Sequence, residues 1–275
     1  MRRDGILSGL AVEMIRKPAC IEYIEAMEQA ADRALHQLAV KERMRLLKSR
    51  TAFIYADAWG ESGPFENITR VQHVTAIDRI PKSLLKKFSI GDFTCKMRGE
   101  QHAFMQALSL AQDYLRWDIF DFVVICAAYR AIPLLVFSAA ESVADTKHRR
   151  IKMNISVERV GCFIFSQRES ALRVRCGSYR AAGATPWAAE RLRADSEAVT
   201  HLAVAGLNPE LHYPARAGKT PVLISLSERY GDSGCLSPAL SWIYLERHAV
   251  AAAKMRTVMP GAQGSYHYFD THYQP

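Results

Sequence analysis

Residues Asp121 to Tyr129 read Asp-Phe-Val-Val-Ile-Cys-Ala-Ala-Tyr, an unbroken apolar run rather than an alternating one. A strand with one wet face alternates, so a continuous run suits a strand covered on both faces, as strands of a parallel sheet are. The chain must then supply layers on both sides of a central sheet. The nearest candidate precedes the run. Across Gln101 to Trp117, Phe104, Ala107, Leu108, Ala111 and Leu115 recur at steps of three and four, which predicts a helix.

The same periodicity predicts a helix over Cys20 to Lys48, through Ile21, Ile24, Met27, Ala31, Leu35 and Leu38. Thr51 to Ala58 reads as a strand, Ile80 to Lys87 as a short helix, and Phe88 to Met97 as a second strand. Beyond Tyr129, strands are expected in Ile151 to Phe165, Ala171 to Cys176, Ala198 to Ala205, Val222 to Leu226 and Ser265 to Asp270. Helices are expected near Pro186 to Ser196 and over Cys235 to Lys254. Phe88 to Tyr129 and Pro221 to Asp270 share an order of strand, glycine turn, helix and strand, which suggests two related halves, 1–148 and 149–275.

With 275 residues and 49% of them hydrophobic, the chain has enough apolar material for a large core. Its longest apolar stretch, Phe122 to Ala140, is interrupted by Tyr129, Arg130, Pro133 and Ser138, so no membrane span is expected. The arginine-led start has Glu13 inside its apolar segment and no small-residue cleavage site, unlike a signal peptide. Six cysteines without metal-ligand spacing read as reduced thiols of a cytoplasmic protein, and no metal or cofactor is implied. The formal charge of +8 suits an anionic partner. Its dispersal along the chain, with no helix-turn-helix, zinc-finger or RRM signature, argues against nucleic acid.

Three segments carry a resemblance. Ala107 to Leu115, ahead of the Phe-Asp-Phe-Val-Val-Ile-Cys strand, resembles the helix after the catalytic cysteine of type III ketoacyl-ACP synthases. Tyr230-Gly231-Asp232-Ser233-Gly234-Cys235-Leu236-Ser237-Pro238 resembles that family's Gly-Asn-Thr-Ser segment before its last long helix. Pro260-Gly261-Ala262-Gln263-Gly264 is similar to its glycine-rich closing loop. The resemblance implies an α/β, thiolase-like fold, with two related βαβαβ halves in an α/β/α/β/α layering.

It also implies where the chemistry of a condensing enzyme would sit. Such an enzyme needs a thiolate at the buried start of a helix, where the dipole lowers the thiol pKa and the sulfur carries an acyl group. Anchored on Phe104, that position falls on Gln101, flanked by Glu100 and His102, and none of the three forms a thioester. Cys95 lies upstream on a strand, without the dipole. If the Gln101 side chain sits at a helix N-terminus facing a closed or shortened pocket, its amide can occupy the thiolate's place and stabilise the fold by hydrogen bonds. Asp232 takes the position of the asparagine that holds the developing oxyanion, with the wrong charge for that task. The family's histidine precedes the asparagine by some thirty residues; His201 stands at a similar distance and is either its survivor or a histidine at a strand edge, and His212 is a loop residue.

Gln101, His201 and Asp232 thus read as vestigial positions. The pattern resembles chain-length factors of type II polyketide synthases and the non-catalytic subunit of heterodimeric alkylquinolone synthases. It implies an intact ketosynthase as heterodimer partner, and an acyl carrier protein or CoA thioester as second partner. Two alternatives remain: a malonyl-ACP decarboxylase with glutamine for cysteine, and an unrelated α/β protein that binds an anionic ligand.

Overall fold

The computed structural model describes residues 5–14, 20–57, 80–91, 93–98, 100–129, 156–181, 199–206, 221–248, 252–261 and 264–275. Among the described residues the strands are β1 (Gly5–Met14), β2 (Thr51–Asp57), β3 (Phe93–Arg98), β4 (Phe122–Tyr129), β5 (Arg159–Ser166), β6 (Leu172–Cys176), β7 (His201–Val204), β8 (Val222–Ser225), β9 (Ala253–Pro260) and β10 (Tyr266–Tyr273). The α-helices among them are α1 (Cys20–Gln37), α2 (Val40–Leu46), α3 (Lys82–Lys87), α4 (Ala103–Arg116), α5 (Leu226–Tyr230) and α6 (Leu240–His248). Two 3-10 segments, Glu100–His102 and Gly234–Ala239, precede α4 and α6.

The strands form one sheet in the order β3-β2-β4-β5-β1-β6-β10-β9-β7-β8. Its two ends repeat one plan. β2 lies parallel to β3 and β4, and β5 runs antiparallel between β4 and β1. Likewise β7 lies parallel to β8 and β9, and β10 runs antiparallel between β9 and β6. The halves meet where β1 pairs with β6 over three residues, Gly5 to Leu7 against Val174 to Leu172. In the strand order β1 and β6 stand at the junction; residues 148 and 149, the expected boundary of the two halves, lie outside the described residues.

Side-chain alternation assigns the layers. Ala52, Ile54 and Ala56 of β2 and Val123, Ile125 and Ala127 of β4 face inward, where they pack against α4. Phe53, Tyr55, Val124 and Cys126 point the other way, to the faces of α1 and α3. α4 and α6 lie between the half-sheets with Met255, Met259 and Phe269 of the second half. At the centre the Trp242 ring stands 5.9 Å from Phe104, 5.5 Å from Phe163 and 5.2 Å from Phe269, and its indole N–H donates to Thr271 Oγ1 at 2.9 Å. Four layers, α/β/α/β, are thus built from described residues; the helix expected near Pro186 to Ser196, the candidate for the fifth, lies outside them.

Several boundaries differ from expectation. The helix predicted over Cys20 to Lys48 divides at Ala39, whose φ of −56° and ψ of 148° turn the chain so that Leu46 re-enters the core. The strand predicted from Phe88 begins at Phe93, because Phe88 caps α3 and is buried there. The helix predicted to Lys254 ends at His248 and a strand, β9, follows. β1 was not anticipated at all.

Candidate functional site

The C-terminal edges of parallel strands are where open α/β sheets gather ligands. At that edge β4 delivers Tyr129, β9 delivers the turn at Gly261, and the chain from β3 delivers Glu100–His102 at the start of α4. The Glu100–His102 turn packs on the Gly234–Ala239 segment, so the regions of Gln101 and Asp232 are neighbours. α4 begins without a side-chain cap; His102 occupies the cap position with φ −96° and ψ −4°. The helix end therefore carries its positive partial charge into this site.

Gln101 is exposed, so the condition under which its amide would stand in a closed pocket is not met. Its neighbour His102 turns inward instead. The His102 ring lies 4.8 Å from that of His267, which lies 4.7 Å from Tyr179. Burial, together with His102 alongside, lowers the His267 pKa to about 4, so this imidazole is neutral at pH 7. Gly261, just past β9, approaches His102 so closely that a Cβ there would fall 2.8 Å from His102 Nε2 and 2.6 Å from Ser265 Oγ. Only glycine fits that approach.

Asp232 does not present a bare carboxylate. Its Oδ1 accepts from the Gly234 N–H at 3.1 Å and from the Ser237 hydroxyl at 3.0 Å, and its carbonyl accepts from the Val157 N–H at 2.7 Å. Ser237 Oγ in turn accepts from the Ser233 N–H at 2.8 Å. Arg159 reaches the same knot, donating to Ser233 Oγ and, at 2.5 Å, to the Tyr230 carbonyl. Gly234, at φ +50°, lies under the Tyr129 ring, where a Cβ would come within 2.4 Å of ring carbons. Tyr129 shares a 2.8 Å hydrogen bond with Ser156, and burial raises its phenol to a pKa of about 12. Asp232 is thus the anchor of a turn.

His201 stands apart from the other two. It opens β7 opposite Met255, near the beginning of β9, whereas His102 meets Gly261 just past that strand's end. Six residues of strand separate those levels, on the order of 20 Å at about 3.3 Å per residue. Its Nδ1 lies 2.8 Å from Thr200 Oγ1, and burial lowers its pKa. His212 lies outside the described residues.

No described thiol occupies the helix start. Cys95 is half-buried on β3 and burial pushes its pKa up. Cys235 is buried against the Ala128 carbonyl, and its pKa is also raised by burial. Sequence reasoning missed His267, Tyr129 and Arg159, which are brought to the site by strand pairing and carry no local motif. It also missed Asp57, a carboxylate 1% exposed at the end of β2, which holds the Tyr55 hydroxyl and faces Arg98 at 3.8 Å. Among the described residues no group of three His, Cys, Asp or Glu side chains is placed to hold a metal ion, and no helix is long and apolar enough to cross a membrane.

No family model and no curated protein matches the sequence. Solved structures do. Two variants of OleA from Xanthomonas campestris superpose with TM-scores of 0.62 and 0.63, each at 10% identity and covering 99% of this chain and 99% of theirs. The 3-oxoacyl-(acyl carrier protein) synthase III, FabH, of Xanthomonas oryzae pv. oryzae superposes with a TM-score of 0.62 at 10% identity, covering 98% of this chain and 99% of its own. Over its whole length, then, the chain has the thiolase-like α/β fold of the OleA and 3-oxoacyl-(acyl carrier protein) synthase III structures.

Proposed function

We propose that the chain is a ketosynthase-like subunit without condensing activity of its own, which pairs with an intact ketosynthase in fatty-acid-like, polyketide or quinolone biosynthesis. The observation that carries this reading is the start of α4. A thiolase-fold condensing enzyme needs a thiolate there, and this chain offers Glu100, Gln101 and His102. Two features support it. Asp232 is tied into its own turn, and among the described residues Phe104 packs ring against ring with Phe163 and Trp242 just inside the helix start. Decarboxylation of a malonyl thioester by Gln101 fits less well, because Gln101 is exposed and Asp232, at the position of the oxyanion-holding asparagine, is a carboxylate engaged in its own turn.

The test is acylation. Incubated alone with acyl-CoA or acyl carrier protein thioesters, the purified chain should acquire no thioester mass adduct, while its co-purified ketosynthase partner should. Gln101→Cys should not restore condensation, because Asp232, a carboxylate engaged in its own turn, still stands where an oxyanion donor is needed. An adduct mapping to Cys95, or condensation by the chain alone, would overturn the proposal.

A further inference from the structure

Among the described residues seven large apolar side chains are exposed, and four of them stand at one end of the molecule. Val40, 73% exposed, and Met44, 50% exposed, lie one turn apart on the same face of α2. Trp117, 67% exposed, and Ile119, 40% exposed, belong to the turn after α4. The two segments are tied together by Arg50, whose backbone N–H donates to Asp121 Oδ2 and whose guanidinium donates to the Asp118 carbonyl, each at 3.1 Å. This end lies at the N-terminal edges of β2 and β4. It is opposite the candidate site, because the 14 residues of α4, about 21 Å at 1.5 Å per residue, run from His102 at one end to Trp117 at the other.

Charge divides unevenly there. Three carboxylates are held by arginines: Glu42 by Arg168 at 2.7 Å, Asp121 by Arg50 at 3.6 Å and Glu169 by Arg173 at 3.4 Å. Lys41, Arg45, Lys48 and Arg116 are exposed and enter no ion pair among the described residues; against them stands the exposed Asp118. A protein-binding hot spot clusters its apolar anchors and is poor in lysine. Here the apolar side chains stand among exposed cations, Lys41 and Arg45 beside Val40 and Met44, and Arg116 beside Trp117. Tryptophan favours the headgroup level of a bilayer, and lysine and arginine stems lie along apolar surface with their charges at lipid phosphates.

We propose that this end docks on an anionic lipid surface, with Val40, Met44 and Trp117 entering the boundary between headgroups and acyl chains, and Lys41, Arg45, Lys48 and Arg116 facing lipid phosphates. The candidate site then faces away from the membrane. The proposal is independent of the ketosynthase-like reading and stands if that reading falls.

The test is sedimentation of the purified chain with vesicles of phosphatidylcholine alone and of phosphatidylcholine mixed with phosphatidylglycerol, with inorganic polyphosphate as a soluble competitor. Binding is expected to the mixed vesicles, with a blue shift of tryptophan emission that Trp117→Phe removes. Each basic residue at an anionic surface contributes about fivefold in partition, so Lys41→Gln, Arg45→Gln and Lys48→Gln together should weaken binding about a hundredfold. Trp117→Ala should weaken vesicle binding and leave polyphosphate binding unchanged. These positions are exposed, and matched thermal melts report whether each variant is folded. Failure to sediment with mixed vesicles overturns the proposal, as does equal binding to neutral ones. Capture of an acidic protein without vesicle binding, or unchanged binding by the triple variant or by Trp117→Ala, also overturns it.

Discussion

Asp232 carries two acceptor bonds on one oxygen, and that arrangement decides what its replacement does. Asparagine keeps an oxygen for the Gly234 N–H and the Ser237 hydroxyl, so Asp232→Asn should leave stability, and the activity of a reconstituted complex, nearly unchanged. Asp232→Ala strands both donors and should lower stability by about 1–3 kcal/mol in urea unfolding. His267 supplies a pH dependence. Its folded pKa of about 4 lies below its ordinary 6.5, so the unfolded chain binds the extra proton first as pH falls. The stabilising contribution is full above pH 6.5 and declines as pH falls through 6.5 towards 4; His267→Gln should flatten that limb in thermal melts at stepped pH. Legibility at this scale was uneven. The residues at the start of α4 could be named because a helix and its preceding turn are local. His201 was selected by its distance from Asp232 along the chain, and chain distance does not reveal which end of a strand a residue occupies. Asp232 was read for its charge, and the two donors that engage it are visible only once the turn is folded.

The glycine turns that close over α4 are the elements most exposed to single substitutions. Gly261→Ala puts a methyl group against His102 and Ser265, and Gly234→Ala adds a left-handed backbone penalty to a collision with the Tyr129 ring. Gly234→Ala should therefore be the more damaging, by about 1–3 kcal/mol of backbone strain beyond the steric term. Thermal melts of the two variants side by side check the order. Both turns had been marked in the sequence by their glycines, and the central β2-α4-β4 pattern by its apolar periods. β9 had not, for a physical reason. Arg256 interrupts its apolar pattern, yet it is buried because Asp270, directly across the β10 ladder, takes both its Nε at 2.7 Å and its Nη2 at 2.8 Å, and the Tyr268 ring covers it at 4.4 Å. A charge neutralised by a cross-strand partner reads as polar until the partner is known. β1 was missed similarly: its pairing with β5 joins residues about 150 positions apart, beyond any local signal.

At the scale of the whole molecule, the net charge of +8 and a subunit interface make opposite demands on salt. Exposed charges are screened beyond about 8 Å at physiological ionic strength, so an acidic acyl carrier protein held by lysines and arginines should dissociate steeply as salt rises. A permanent subunit contact buries apolar surface, and the hydrophobic term is not weakened by added salt. If the chain works beside an intact ketosynthase, the two associations should therefore separate in one titration. Sedimentation velocity of the reconstituted mixture should show the carrier protein released at high salt while the ketosynthase pair persists. Loss of both together would assign the pairing to exposed charge and remove the basis for a permanent heterodimer. Persistence of the carrier protein would instead place its contact on apolar surface, and the basic residues would need another anionic partner.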